Sequence, residues 1–247
     1  MDKAAATLES GDGVAAVDRA LRVVAALVES ARPLTLADLA RATGYYKSTL
    51  LRLIASLERS GLVQRRGDQR YWLGPFAFRL GQAFEATFHL KESLLPVLQW
   101  LIAQGSESAS FHVWHDEKTR ICLLRIDSNH STLDRIRPGD LLPIKRGAAG
   151  KVLRTFVEGE AAAAAAGLVY TSFGERDPAC AAVAAPVFGP AGELLGALSL
   201  SGPQERFSDA AVRKMGKLVL AAGERATVSL GGRWPGKERR AANAVRA

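Results

Sequence analysis

Residues 44–63 read "GYYKSTLLRLIASLERSGLV", and the way this stretch divides between two faces decides the fold of the N-terminal part. At 3.6 residues per turn, Leu50, Leu53, Ile54 and Leu57 fall on one side of a helix, the spacing of a buried stripe. Ser48, Arg52 and Arg59 lie opposite, flanked by Thr49 and Ser56, and Glu58 is the only acid. A merely solvated face ordinarily mixes both signs of charge. This one is basic and follows a glycine, so its expected partner is an anion.

The neighbouring segments complete a motif around that helix. Residues 16–29, "AVDRALRVVAALVE", place Val17, Ala20, Leu21, Val24, Leu27 and Val28 on one helical face, and Pro33 ends the segment. Thr35 and Asp38 form a [ST]-x-x-[DE] capping box that opens a short helix, "LADLARAT", which Gly44 terminates. Ala40, Gly44 and Leu50 stand where a helix-turn-helix needs a small residue, a sharp turn and an apolar anchor. After Gly61, "LVQRRGDQRYWLG" reads as two strands joined by a two-residue Gly67-Asp68 hairpin. Three helices and a hairpin over residues 14–74 make a winged helix-turn-helix.

In that geometry the first turns of the third helix meet base edges and phosphates in the major groove. Lys47, Ser48, Thr49 and Arg52 occupy those turns. Arginine takes guanine bidentately, and a hydroxyl reaches either a base or a phosphate. Tyr45 offers a hydroxyl to phosphate or packs, and Tyr46 is expected to pack beside the leucines. Arg65, Arg66 and Arg70 on the wing suit the backbone or the minor groove. The competing reading of this head is a winged helix that binds protein.

Charge is distributed unevenly along the 247 residues, whose net charge is +8. Residues 1–79 carry +4, residues 80–205 carry −3 and residues 206–247 carry +7. A basic head on a slightly acidic middle fits nucleic-acid contact joined to a body with another task. Two cysteines exclude a disulfide framework, and no run approaches the ~18 apolar residues of a membrane span. Residues 1–13, "MDKAAATLESGDG", lack the apolar core of a signal peptide, so a cytoplasmic location away from membranes is expected.

Beyond the head, residues 75–105 read as two linker helices. Short alternating runs follow ("SASFHVWH", "TRICLLRID", "TLDRIRP"), then an Ala-rich helix over about 148–166 and two strands, "CAAVAAPVF" and "LLGALSLSG". A last helix begins near Ser208. Strand pairs without regular βαβ alternation make residues 106–230 an α+β domain. The tail 231–247, "GGRWPGKERRAANAVRA", is basic and broken by Gly and Pro, and is expected to be disordered.

Enzyme motifs are missing. "GAAGK" at 147–151 has Lys145 where a phosphate loop has its first glycine and Val152 in place of Ser or Thr. His112 and His115, three apart in a strand, point to opposite faces and do not suit a shared metal. No nucleophile has the local context of a catalytic motif. The expectation is therefore no catalytic residue, no metal and no cofactor.

The motifs "AVDRALRVVAALVES", "LTLADLARATG", "KSTLLRLIASLERSGLVQRR" and "RYWLG", with the late "FGPAGELLGALSLSGPQERF", resemble the IclR-type transcriptional regulators over roughly residues 15–230. The resemblance implies a GAF-like effector-binding fold for the second domain. It also implies a ligand pocket between the loop leading to the "AGK" helix and the late strands. Carried over residue by residue, that pocket comprises Leu142, Ala148, Ala149, Ser172, Cys180, Ala182, Ser199 and Ser201. This chain departs from the family at Tyr45-Tyr46, where an apolar residue and a proline are usual. It has Ala182 in place of a cysteine and Ser172 in place of an acid, and its segment before "AAPV" is about half the usual length. Without that acid, Arg176 and the serines favour an anion or a neutral oxygenated molecule.

The expected protein is an effector-responsive regulator that binds double-stranded operator DNA as a homodimer or a dimer of dimers, since one head spans too few base pairs. The alternative is a small-molecule-binding protein or enzyme with an accessory basic winged helix.

Overall fold

The computed structural model describes residues 13–30, 32–157 and 167–235. The chain divides into two compact units, residues 1–88 and 89–247.

The first unit holds α1 (Ala15–Val28), α2 (Leu36–Thr43), α3 (Lys47–Arg59), a two-stranded antiparallel sheet of β1 (Val63–Arg65) and β2 (Tyr71–Leu73), and α4 (Pro75–Phe88). Its core gathers Val23, Leu27, Leu39, Leu50, Ile54, Leu57, Val63 and Tyr71. The stripe expected of residues 44–63 is therefore the buried one, with Leu53 partly buried against it. The capping box forms in full: Thr35 Oγ1 accepts from the Asp38 amide at 3.1 Å, and the Thr35 amide donates to the Asp38 carboxylate at 3.0 Å. Gly44 ends α2 in the left-handed conformation (φ 74°), donating its N–H to Ala40 O.

Two local expectations change. The wing is not a two-residue hairpin: Arg66 N–H donates to Arg70 O, Gln69 N–H donates to Arg66 O, and Gln69 has φ 63°. This is a three-residue loop in which Gln69 takes the left-handed position, while the Asp68 carboxylate accepts from the Arg70 amide. Tyr46, expected beside the leucines, stands 85% exposed as the N-cap of α3. Tyr45 packs on the core instead, and its hydroxyl accepts from Arg22 at 3.4 Å.

The second unit is an α+β layer structure. Its sheet has the order β5-β4-β3-β8-β7-β6, with every pair antiparallel: β3 (Ser108–Trp114), β4 (Thr119–Ile126), β5 (Leu141–Pro143), β6 (Tyr170–Phe173), β7 (Cys180–Phe188) and β8 (Leu194–Pro203). The helices α5 (Leu90–Ala103) and α7 (Asp209–Ser229) supply Leu94, Val97, Leu98, Leu101, Val219 and Ala222 to one face, against Phe111, Val183, Val187, Leu198 and Leu200. That face is the core.

The other face of the sheet is small and polar. The register aligns Ser110 with Ser199, Ser108 and Ala182 with Ser201, and Ser172 with Ala182. A bulge in β4 shifts the pairing from His112↔Cys122 to Phe111↔Leu124, so Ser110 meets Arg125. One extra residue reverses strand parity, which brings Arg125 onto the same face as Arg120 and Cys122. Helix α6 (Ala148–Val157) covers one end of this face through Ala148, Ala149, Val152 and Leu153, with Ile144 just before it.

The run "TLDRIRP", expected as a strand, is irregular chain between β4 and β5, and it turns Asp134 and Ile136 inward. Of the tail, Gly231–Pro235 is described: Trp234 is buried against Phe188, with ring centroids 6.0 Å apart. The end of the Ala-rich helix (158–166) and residues 236–247 lie outside the described residues.

Candidate functional site

Each unit presents one candidate surface. In the first, Arg19 of α1 joins Ser48, Thr49, Arg52, Ser56 and Arg59 of α3 in lining a broad open groove. Lys47, Ser48 and Arg52 are exposed and Thr49 is half-exposed. On the wing, Arg65 and Arg66 are exposed and each lies over an aromatic ring, Arg65 5.6 Å from the Tyr71 centroid and Arg66 4.5 Å from that of Trp72. These contacts hold both guanidinium groups on the wing, where Arg65 also donates to Gln69 Oε1. Arg70 pairs with Asp68 at 3.6 Å. Tyr45, with its ring on the core, has only part of its surface left for any partner.

In the second unit, a cavity of about 30 Å3 opens on the polar face of the sheet. Ala148, Ala149, Ser172, Cys180, Ala182, Ser199 and Ser201 line it. Leu142 does not: it is buried beside Cys122 and Ile136. The structure adds His112, Arg120, Ile136 and Arg176 to the wall.

Arg120 dominates the electrostatics. It is 3% exposed and donates to the carbonyls of Pro143 and Arg146, the latter at 2.9 Å. It takes part in no ion pair among the described residues, and its Nε has no hydrogen-bond partner. Burial, and then the nearby Arg176, push its pKa down, without bringing a guanidinium near neutrality at physiological pH. Glycines give it room: Gly147 has φ 87°, and a Cβ at Gly150 would overlap the Ile144 carbonyl while crowding Arg120.

Beside it His112, 1% exposed, makes one hydrogen bond, Nε2 to Ser110 Oγ at 2.9 Å, and its Nδ1 is unpartnered. Burial, followed by Arg120, Arg125 and Arg176, holds its pKa well below the usual histidine range, so the ring is neutral. Asp134, its side chain fully buried, accepts from Ser201 Oγ at 2.8 Å, pairs with Arg125 and lies 3.5 Å from Arg176. Behind the lining, Glu175 pairs with Lys151 and accepts from the amide of the lining residue Gly147 at 3.2 Å. Burial and then Asp177 raise the Cys180 thiol pKa, which favours the protonated thiol over the nucleophilic thiolate.

Sequence reasoning missed Arg120, His112, Asp134 and Glu175. The available signal was Arg120 at the start of an apolar strand, where a charge on the buried face requires a reason. Among the described residues no set of His, Cys, Asp or Glu is arranged to hold a metal ion, and no helix is long and apolar enough to cross a membrane.

Known proteins share the fold of both units. Residues 16–67 match the IclR helix-turn-helix domain. The chain is 28% identical to the HTH-type transcriptional regulator BhcR of Paracoccus denitrificans, over 87% of this chain and 86% of that protein. It is 25% identical to the transcriptional repressor IclR of Escherichia coli, over 93% and 94% of the two chains. Among solved structures, an IclR transcriptional regulator from Silicibacter sp. superposes with a TM-score of 0.76 at 24% identity, covering 89% of this chain and 98% of the other. An IclR homologue from Microbacterium hydrocarbonoxydans, complexed with 4-hydroxybenzoate, gives 0.72 at 18% identity over 87% and 98%. Residues 16–67 thus form an IclR helix-turn-helix domain, and over most of its length the chain is similar to IclR-type transcriptional regulators.

Proposed function

We propose that this regulator binds operator DNA through α3 and the wing, and that a small anion entering the cavity of the second unit alters that affinity. Lys47, Ser48, Thr49 and Arg52 address base edges and flanking phosphates in the major groove, and Arg65, Arg66 and Arg70 address the backbone. The observation that carries the effector assignment is the buried, unpaired Arg120 guanidinium on the cavity wall. An uncompensated buried charge is costly, and an anionic ligand removes the cost. The Microbacterium homologue holds 4-hydroxybenzoate, a ligand with a carboxylate. A cavity of about 30 Å3 has room for about two waters, so the effector is small or the walls part to admit it.

The working form is a homodimer or a dimer of dimers acting in the cytoplasm. Two heads are needed to span half-sites ~34 Å apart. The first unit offers apolar surface for a second copy: Val14, Val17 and Leu21 of the α1 segment and Phe78 and Leu80 of α4 are between 47% and 70% exposed. The effector acts by population shift, in proportion to its differential affinity for the two arrangements of the heads. No step of catalysis enters this reading.

Fluorescence anisotropy with labelled DNA from the intergenic region flanking the gene tests it, with excess random DNA as competitor. Binding that survives the competitor and changes on adding carboxylates supports the reading. Turnover of a small molecule without specific DNA binding would replace it with a carrier or enzyme bearing an accessory winged helix.

A further inference from the structure

Resting on the anionic-effector reading, we infer that the cavity takes a monoanion and that Glu175 is the residue that turns away a second acidic group. The charged groups tied to the cavity lining through successive ion pairs and hydrogen bonds nearly cancel. Arg125 is held by Asp127 and Asp134, Arg176 by Asp134, and Lys151 by Glu175. Four cations, with Arg120, face three carboxylates, and the cation left over is Arg120. One negative charge on the ligand neutralises the set. A second would enter a low-dielectric pocket with no cation to meet it.

A second acidic group does have one attractive position in principle, the start of α6. The first amides of a helix have no carbonyl of their own helix to donate to, and the helix dipole favours negative charge there. In this chain that position is filled from within. The Glu175 carboxylate accepts from the Gly147 amide at 3.2 Å and pairs with Lys151, which also donates to the Thr171 carbonyl at 2.8 Å. Burial opposes the charge on Glu175, but the hydrogen bonds from Lys151 and the Gly147 amide outweigh it and hold the carboxyl below its ordinary range. It is therefore ionised at neutral pH.

Two unpartnered polar atoms on residues that line the cavity point to a ligand independently of the helix. Arg120 Nε and His112 Nδ1, on side chains 3% and 1% exposed, have no partner among the described residues. The neutral imidazole donates or accepts without adding charge, so it suits a carboxylate or a neighbouring oxygen on the same ligand. The short loop between β6 and β7 carries both Glu175 and Arg176. It thus carries the carboxylate that repels a second negative charge beside a guanidinium already held by Asp134.

Isothermal titration of the full-length protein with butanoate and succinate, acids of equal chain length, tests this. The wild type is expected to prefer butanoate by about tenfold or more, the scale of one partly screened charge at close range. Glu175→Gln keeps an acceptor for the Gly147 amide but removes the charge. It should shrink the preference about tenfold, chiefly by tightening succinate, and Glu175→Ala should do the same. An unchanged ratio in both variants, with butanoate still bound, overturns the role of Glu175 and leaves the anionic reading standing. A wild-type preference for succinate overturns the monoanion. If neither acid binds any of these proteins, or if Arg120→Met binds butanoate as the wild type does, the anionic reading fails and this inference with it.

Discussion

Ser201 donates its hydroxyl to Asp134 over 2.8 Å, tying strand β8 to the irregular chain between β4 and β5. The same carboxylate pairs with Arg125 and faces Arg176, so one fully buried acid organises two arginines at the cavity. Asp134→Asn keeps the shape and an acceptor but leaves both guanidinium groups without their shared counter-charge. Breaking a buried pair from one side costs about 3–5 kcal/mol. Urea denaturation should show a loss of that order, and a loss below about 1 kcal/mol would mean that solvent already screens the cluster.

His112 gives the second unit a pH dependence whose sign follows from its burial. Its pKa is lowered well below the usual value near 6.5, while in the unfolded chain the imidazole titrates normally. Below about pH 6.5 the unfolded state therefore binds a proton that the native state does not, and stability falls as pH falls. Each unbound proton contributes about 1.4 kcal/mol per pH unit. Denaturation midpoints measured from pH 7 down to pH 5 should decline more steeply for the wild type than for His112→Asn. Parallel curves would show that the imidazole is protonated in the native state.

The two sets of head arginines separate by specificity. Arg52, exposed at the second turn of α3, is expected to read a base, so Arg52→Ala should cost about 1–3 kcal/mol on the operator and little on random DNA. Arg65, stacked over Tyr71 on the wing, is expected to meet phosphate. Arg65→Ala should weaken all DNA alike and reduce the slope of log K against log salt by about 0.9. Anisotropy titrations at several salt concentrations measure both. Equal losses from Arg52→Ala on operator and random DNA would make it a backbone contact.

The head was the most legible part of the sequence because its signals are local. The 3.6-residue stripe of α3, the Thr35–Asp38 capping box and the left-handed Gly44 are each decided within a few residues, and each is present. The wing loop was misjudged because Gly67-Asp68 is a strong turn signal, yet the left-handed conformation falls on Gln69, a residue that carries no such signal. Tyr46 was misplaced because a position near the leucine stripe is buried only within the helix, and Tyr46 is the residue before it. The cavity was legible through the resemblance but not through its charges. Arg120 and Arg125 share a face only because of the bulge in β4, and Asp134 reaches Arg125 from a segment with no regular structure. Such contacts join residues distant in sequence through tertiary packing, which no local pattern encodes.

Gly150 links this packing to regulation. A Cβ there would overlap the Ile144 carbonyl oxygen and lie 3.3 Å from Arg120 Nη1. Backbone cannot yield as a flexible side chain does, so Gly150→Ala must displace the first turn of α6, at the overpacking cost of about 1–3 kcal/mol. That turn carries Ala148 and Ala149 on the cavity wall and follows the Gly147 amide that Glu175 occupies. The displacement falls on the proposed effector site and leaves α3 and the wing untouched. Gly150→Ala should therefore bind operator DNA within about twofold of the wild type in the absence of ligand. It should also need at least about ten times more butanoate to produce half the anisotropy change. Equal loss of both properties would show that the substitution unfolds the second unit, and circular dichroism of the same sample would confirm it. A normal response to butanoate would place the effector away from the start of α6.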